Sequence, residues 1–247
     1  MELKEKNVLI TGGSSGIGRQ IAVYFAREEA NVIFTYKKDK KGALETGKLI
    51  RNEGMASRAL KLDHTKKKDR ESIFKILDKE YGELHVLVNN AGGHIRGKDK
   101  YNPDAWDGIV DINLNGPIHL TTILTPLIEK VGGSVLNITS AYGLLHCGST
   151  VLPAYSAAKA GMNSFTKTYA KDKEGRIRVN SIAPGYVETP MWGKLGEREK
   201  SMYGSHQLIG RFIQPEEIAE AAVFISKNEA ITGEVLVLDG GISLKTI

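Results

Sequence analysis

Asn7-Val-Leu-Ile-Thr-Gly-Gly-Ser-Ser-Gly-Ile-Gly18 is a short apolar run that breaks into glycines and serines and then passes into a helical pattern. Asn7–Thr11 reads as a strand buried on both faces, and Ile17, Ile21, Tyr24 and Phe25 recur at the 3.6-residue spacing of an amphipathic helix. The glycines between them allow a tight turn and let a ligand approach backbone that a Cβ would shield. The helix beyond offers unpaired N–H groups and the positive end of its dipole to an anion. The spacing, Gly12-x-x-x-Gly16-x-Gly18, differs from the commonest dinucleotide fingerprint. Strand, turn and helix together predict the first βαβ unit of a dinucleotide-binding sheet, with Gly12, Ser14, Ser15, Gly16, Ile17 and Gly18 at the pyrophosphate.

The same alternation runs to the end of the chain. Further strand candidates are Asn31–Tyr36, Ser57–Asp63, Leu84–Asn90, Gly133–Ser140, Arg176–Ala183 and Glu234–Asp239, with helix-patterned stretches between them. Nearly continuous apolar runs such as Val-Leu-Val and Val-Leu-Val-Leu imply a parallel sheet covered by helices on two sides. No repeat or linker divides the chain. The expectation is an α/β protein: one doubly wound domain over residues 1–247, with seven mostly parallel strands and ligands at their carboxyl ends.

Composition narrows the class of function. With 247 residues, 41% hydrophobic and 26% charged, the chain has the make-up of an ordinary globular domain. No apolar run reaches the ~18 residues of a membrane span, and the first strand follows the amino terminus too closely for a signal peptide. One cysteine, Cys147, suits a reducing compartment. A cytoplasmic protein is expected. The net charge of +5 arises partly from lysine runs at residues 37–41 and 66–68. No aromatic residues interleave them to stack on bases, so nucleic-acid binding is not expected. The six histidines are scattered without metal-ligand spacing, and no metal site is expected.

Choice of dinucleotide falls at the end of the second strand, where a carboxylate would hold a ribose 2′-hydroxyl. This chain has Phe34-Thr-Tyr-Lys-Lys38, with no carboxylate before Asp39. Tyr36 is expected to cover the adenosine, and Lys37 or Lys38 to pair with a 2′-phosphate unless both face solvent. The charge argument favours NADP, with NAD use left open.

Tyr155 and Lys159 lie four residues apart in Ala154-Tyr-Ser-Ala-Ala-Lys-Ala160, just inside a helix-patterned stretch, so both side chains share one helical face. A free phenol titrates near ~10 and is a poor proton carrier at neutral pH. A fixed neighbouring cation favours the phenolate, and the pair reads as an acid/base device. Further along stand Asn89-Asn-Ala-Gly92, Asp111-Ile-Asn113, Ile138-Thr-Ser140 and Pro184-Gly-Tyr-Val-Glu-Thr-Pro190. All but Asp111-Ile-Asn113, which falls inside a long helical stretch, sit at or just after strand ends.

In this order and at these separations, the set resembles the short-chain dehydrogenase/reductase family in its compact branch, and the resemblance covers essentially the whole chain. The family likeness implies a Rossmann-type fold and a nicotinamide-dependent oxidoreductase, similar to 3-oxoacyl carrier reductases and sugar dehydrogenases. It implies catalytic roles for Asn113, Ser140, Tyr155 and Lys159. Tyr155 would protonate a carbonyl oxygen or take a hydroxyl proton. Lys159 would hold the nicotinamide ribose and lower the phenol's pKa, Ser140 would bond the substrate oxygen, and Asn113 would hold a water linking Lys159 to solvent. Asn90, Ala91 and Gly92 would pack beside the cofactor, Asp63 would bind the adenine edge, and Pro184, Gly185, Val187 and Thr189 would flank the nicotinamide. Plainer readings stand beside these: Ser140 as a helix cap, Asn113 as an ordinary helical amide, Asp63 as a turn residue.

Fifteen positions separate Ser140 from Tyr155, a residue or two more than is usual in the family. The extra length falls in Ala141–Pro153, which makes Tyr142, Leu144, Leu145 and His146 candidate pocket residues. His94, Ile95 and Arg96 are expected on the substrate side or in solvent, and Tyr186 at the substrate. Met191, Trp192 and Met202 come from a stretch expected to form a substrate lid or a fixed pair of short helices. The expected function is NADP(H)-dependent hydride transfer to or from a small ketone or secondary alcohol, as a homotetramer. The rival reading is a non-catalytic dinucleotide-binding regulator on the same fold.

Overall fold

The computed structural model describes residues 1–94 and 100–245. Ile95 and Arg96, two of the residues expected on the substrate side, lie outside the described residues. Seven strands form one sheet in the order β3-β2-β1-β4-β5-β6-β7. They are β1 Asn7–Ile10, β2 Asn31–Tyr36, β3 Ser57–Lys61, β4 Val86–Asn89, β5 Ser134–Ile138, β6 Arg178–Pro184 and β7 Val235–Leu238. Every neighbouring pair is parallel. The expected mostly parallel sheet is parallel throughout.

Successive side chains of β1 supply opposite cores, as the period of two requires. Val8 and Ile10 join Ile21, Phe25, Ile50 and Ile218 on one face, where α1 Gly16–Arg27, α2 Lys40–Asn52 and α8 Pro215–Lys227 pack. Leu9 joins Leu77, Leu120, Leu124 and Val179 on the other, against α3 Lys67–Glu80, α5 Gly116–Glu129 and α6 Pro153–Lys173. β1, β4, β5 and β6 are buried along their whole length, but the two edges depart from that expectation. β3 exposes Arg58, Ala59 and Lys61, and β7 leaves Val237 exposed. An edge strand lacks a neighbour on one side, so burial on both faces cannot be complete.

β1 pairs with β2 on one side and β4 on the other, so the strand order reverses there. Crevices for ligands open at such a point, outside the carboxyl ends of the strands. The expected long helix over 104–130 is interrupted. α4 Pro103–Val110 and α5 are joined by one π turn, Asp111–Asn115. Asn113 donates its side-chain amide to the Ile109 carbonyl at 2.9 Å, inserting a side chain into the helical ladder. α7 Glu197–Gly204 completes the helices described, and among the described residues no helix is long and apolar enough to cross a membrane.

Candidate active site

A cleft of about 720 Å³ runs along the carboxyl ends of the strands. At one end it is lined by the glycine turn. Gly12 and Gly16 take φ of +68° and +52°, backbone that L side chains rarely adopt. A Cβ on Gly18 would lie 2.3 Å from Asn90 Nδ2 and 2.4 Å from the Gly12 oxygen, so the turn closes only around glycine. Asn90 Nδ2 donates to the Thr11 and Gly12 carbonyls at 2.9 and 3.2 Å, while Thr11 Oγ1 accepts the Asn90 and Ala91 N–H groups. Ser15 begins α1 without a side-chain cap. The first-turn N–H groups of α1 therefore have no intrahelical partner and no side-chain acceptor. An uncapped helix start behind a glycine cradle fits a pyrophosphate.

At the end of β2, Tyr36, Lys37 and Lys38 line the same cleft. Asp39 borders the cleft beside them and caps α2 by accepting the Gly42 N–H at 2.8 Å. Lys37, expected to meet a 2′-phosphate, pairs at 2.8 Å with Asp63, expected to meet the adenine. Burial pushes the Asp63 carboxyl up, but hydrogen bonds from Lys37 and Thr65 outweigh it and hold the group below the usual carboxylate range. The two groups thus meet each other at this end of the cleft.

Farther along, β5 delivers Ser140 and α6 delivers Tyr155 and Lys159. Ser140 Oγ accepts the Tyr142 N–H at 3.2 Å, capping a 3₁₀ turn over Ala141–Gly143, and lies close enough to the Tyr155 phenol to favour its ionised form. The capping role and the contact with the phenol coexist. Lys159 donates to the Ile138 carbonyl at 2.8 Å, with its Nζ 5.5 Å from the centre of the Tyr155 ring. Burial pulls this ammonium down to about 8. Burial also pushes the Tyr155 phenol up to about 12, against the lowering effect of Ser140. The sequence led us to expect a phenol lowered by Lys159. Desolvation wins, because protein atoms crowd the half-buried Tyr155 and bury Lys159, and the ammonium's hydrogen bond goes to backbone.

Asn113 is buried on the opposite wall. It donates to the Gly93 carbonyl at 2.7 Å and accepts the Gly93 N–H at 3.2 Å. A Cβ on Gly92 would stand 2.6 Å from Asn113 Oδ1 and 3.5 Å from Lys159 Nζ, so the glycine lets these two groups converge. Pro184, Gly185, Val187 and Thr189 form the remaining wall.

The end of the cleft beyond Tyr155 is aromatic. Tyr142 and Tyr186 share a hydrogen bond between their hydroxyls at 2.7 Å. Burial, and then that bond, push the Tyr142 phenol well above its usual value. Trp192 donates to the Val187 carbonyl and packs on Tyr203, Phe212 and Tyr186 at ring separations of 4.9 to 5.2 Å. His94 meets Tyr155 edge to face at 6.0 Å.

The sequence matches the family model described as "Enoyl-(Acyl carrier protein) reductase" over residues 12–243. It is 37% identical, over 98% of this chain and 99% of the relative, to the 3-oxoacyl-[acyl-carrier-protein] reductase FabG of Thermotoga maritima. The chain belongs to the short-chain dehydrogenase/reductase family. A Caenorhabditis elegans short-chain dehydrogenase/reductase of unknown function, solved with cofactor, superposes with a TM-score of 0.92 at 30% identity, covering 100% of this chain and 98% of that one. The aldohexose dehydrogenase of Thermoplasma acidophilum superposes at 0.85 with 29% identity, covering 99% and 96%. This short-chain dehydrogenase/reductase is accordingly an NAD(P)-dependent enzyme, and the regulator reading gives way.

Several placements differ from expectation. His146 and Leu145 are exposed and do not line the cleft, and neither does Leu144. The extra residues before Tyr155 bulge into solvent, because Ser149 is tied back to α6 through its N–H and Ser156 Oγ at 3.0 Å. Ser149, Val151 and Leu152 line the cleft in their place. Met202 is half-exposed and off the cleft, whereas Met191 and Trp192 border it. Tyr203 and His64 also line the cleft and escaped the sequence reading. Tyr203 had no spacing signal, and His64 looked like one more scattered histidine. Among the described residues no cluster of three or more His, Cys, Asp or Glu could hold a metal.

Proposed function

We propose that this enzyme transfers hydride between NADP(H) and a small ketone or secondary alcohol of the 3-oxoacyl thioester or sugar/polyol class, with Tyr155 as general acid/base. One observation carries the reading: Ser140, Tyr155 and Lys159 meet at the carboxyl end of β5 inside the cleft that begins at the glycine turn. When bound, the nicotinamide supplies or accepts the hydride, and the protein supplies position and the proton.

Tyr155 hands its hydroxyl proton to the carbonyl oxygen during reduction and takes it back during oxidation. A phenol lifted to about 12 is protonated at neutral pH, the form that reduction needs. Ser140 donates to the same substrate oxygen once it turns from Tyr155. Lys159, still mostly charged at pH 7, favours the phenolate that forms as the proton leaves. Asn113 sits where a water can join Lys159 to solvent. Gly12, Ser14, Ser15, Gly16, Ile17 and Gly18 hold the pyrophosphate, and Tyr36, Lys37 and Asp63 the adenosine. Asn90, Ala91, Gly92, Pro184, Gly185, Val187 and Thr189 flank the nicotinamide half. His94, Tyr142, Tyr186 and Trp192 face the substrate.

NADP is favoured because Lys37 and Lys38 line the adenosine end, where the one carboxylate of that loop, Asp39, borders the cleft but has an oxygen engaged in capping α2. The reductase and sugar-dehydrogenase likenesses support the two substrate classes. An apolar, partly exposed edge strand, β7, with Val237 open to solvent, supports assembly as a homotetramer. We place the enzyme in the cytoplasm.

Titrating NADH and NADPH separately against ketones, 3-oxoacyl thioesters and sugars identifies the pair used. Tyr155→Phe should then abolish turnover while cofactor affinity stays within about twofold, since a single hydroxyl away from the glycine turn is removed. Turnover surviving in that variant sinks the mechanism, and a monomer by light scattering at micromolar concentration sinks the tetramer.

A further inference from the structure

The helix carrying Asn113 contains a carbonyl that its own backbone does not serve. In the π turn Asp111–Asn115, the Gly116 N–H bonds the Asp111 oxygen. The next residue, Pro117, has no N–H. Ile112 would look to residue 116 for an α-type donor or to residue 117 for a π-type donor. The first is committed elsewhere and the second does not exist. A carbonyl shielded from water and left in that state is costly.

His64 answers it from a different element. It follows β3, is only 5% exposed, and places Nε2 2.9 Å from the Ile112 oxygen. A carbonyl only accepts, so Nε2 carries the proton and a neutral ring keeps Nδ1 as its acceptor. The backbone of His64 and its ring are each held by a further neighbour. Arg70 Nη1 donates to the His64 carbonyl at 2.6 Å, and a Cβ on Gly116 would lie 2.6 Å from His64 Cδ2. Glycine at 116 is what lets the ring lie against the helix. Burial lowers the histidine's pKa, as do Lys37 and Lys159, against the opposing pull of the Ile112 bond and Asp63; the neutral ring is the form present at pH 7.

We propose that His64 is a positioning residue for the proton path: its Nε2–H pins the Ile112 carbonyl and thereby holds the π turn that presents Asn113 to Gly93 and Lys159. The inference rests on the catalytic reading of Asn113 and Lys159 above. It makes the dinucleotide end and the catalytic end mechanically continuous, since the residue before His64 is Asp63, the partner of Lys37.

The test uses the full-length enzyme and has one arm that does not depend on turnover. In the unaltered protein, ¹⁵N NMR of the imidazole should show the Nε2–H tautomer; the Nδ1–H tautomer overturns the proposal. Amide exchange over residues 111–118 should quicken in His64→Leu, which lacks a donor. It should stay near the parent rate in His64→Gln, whose amide can donate to the same carbonyl. In kinetics, His64→Leu should lose at least ~10-fold in kcat, because small displacements of positioned groups are costly. Its cofactor Kd should stay within about twofold, and His64→Gln should recover most of the loss. A loss confined to cofactor affinity, or equal losses in Leu and Gln variants with parent-like exchange, overturns it. If Tyr155→Phe proves active, the catalytic reading fails, while the tautomer and exchange results still decide whether the pin exists.

Discussion

At the dinucleotide end the cleft is walled by backbone, where Gly12 and Gly16 hold positive φ and Asn90 staples one strand end to the next. At the substrate end it is walled by side chains from two connections, with Tyr142 on one bonded to Tyr186 on the other and Trp192 and Tyr203 packed behind. The first kind of wall demands particular residue types at fixed spacing, because only glycine tolerates the turn. The second demands only bulk and a hydroxyl, which many sequences and spacings can supply. A change at the first end should therefore be all or nothing, and a change at the second graded.

The harshest way to break this contrast is Gly18→Ala. Its Cβ would enter space held by Asn90 and the Gly12 carbonyl. Cofactor affinity should fall at least ~100-fold, about 2.7 kcal/mol, as measured by fluorescence or calorimetric titration. Near-parent affinity would show that the turn is as forgiving as the aromatic wall.

Between the two ends, Lys159→Met should lose turnover yet gain stability, by roughly 2 kcal/mol at pH 7, because a buried ammonium is removed. The gain should shrink with rising pH. The folded protein holds Lys159 at about 8 against an ordinary 10.5, so between those values the unfolded chain binds more protons and the parent's stability climbs. Tyr155 is present in both proteins and cancels. Denaturant melts at pH 7 and pH 10 check both the sign and the trend; a gap that widens with pH contradicts the burial argument.

Tyr142→Phe and Tyr186→Phe each remove one partner of the same hydrogen bond. They should change kcat/KM by about 2–10-fold, the worth of a single net hydrogen bond, with cofactor affinity untouched. The double variant should lose less than the product of the two, since each already breaks the shared bond. His146→Ala should be the smallest effect, within about twofold in kcat/KM, because an exposed side chain off the cleft touches neither end. A large effect there would return the solvent-facing bulge to the site.

How much was legible follows the same division. β2 runs over the residues expected from its apolar pattern, and the other strands end within a few residues of their expected bounds. The glycine turn, Ser140, Tyr155 and Lys159 line one cleft, and their types and spacing on strand ends and one helical face announce it. His146 was misplaced because loop residues carry no periodicity. An extra residue in a loop can bulge either way, and the bond between Ser149 and Ser156 settles the direction.

Local periodicity and turn chemistry determined the alternation of strand and helix, the parallel sheet, the glycine cradle and the Tyr155–Lys159 face. Each of these depends on neighbours within a few residues. Tertiary structure decided what depends on distant segments meeting. It set Lys37 against Asp63 and Tyr142 against Tyr186, and it gave His64 the carbonyl that Pro117 leaves without a donor. It also set the protonation of the acid/base pair. Adjacency on a helix foretells a lowered phenol, whereas burial, which only the assembled core supplies, raises Tyr155 and lowers Lys159.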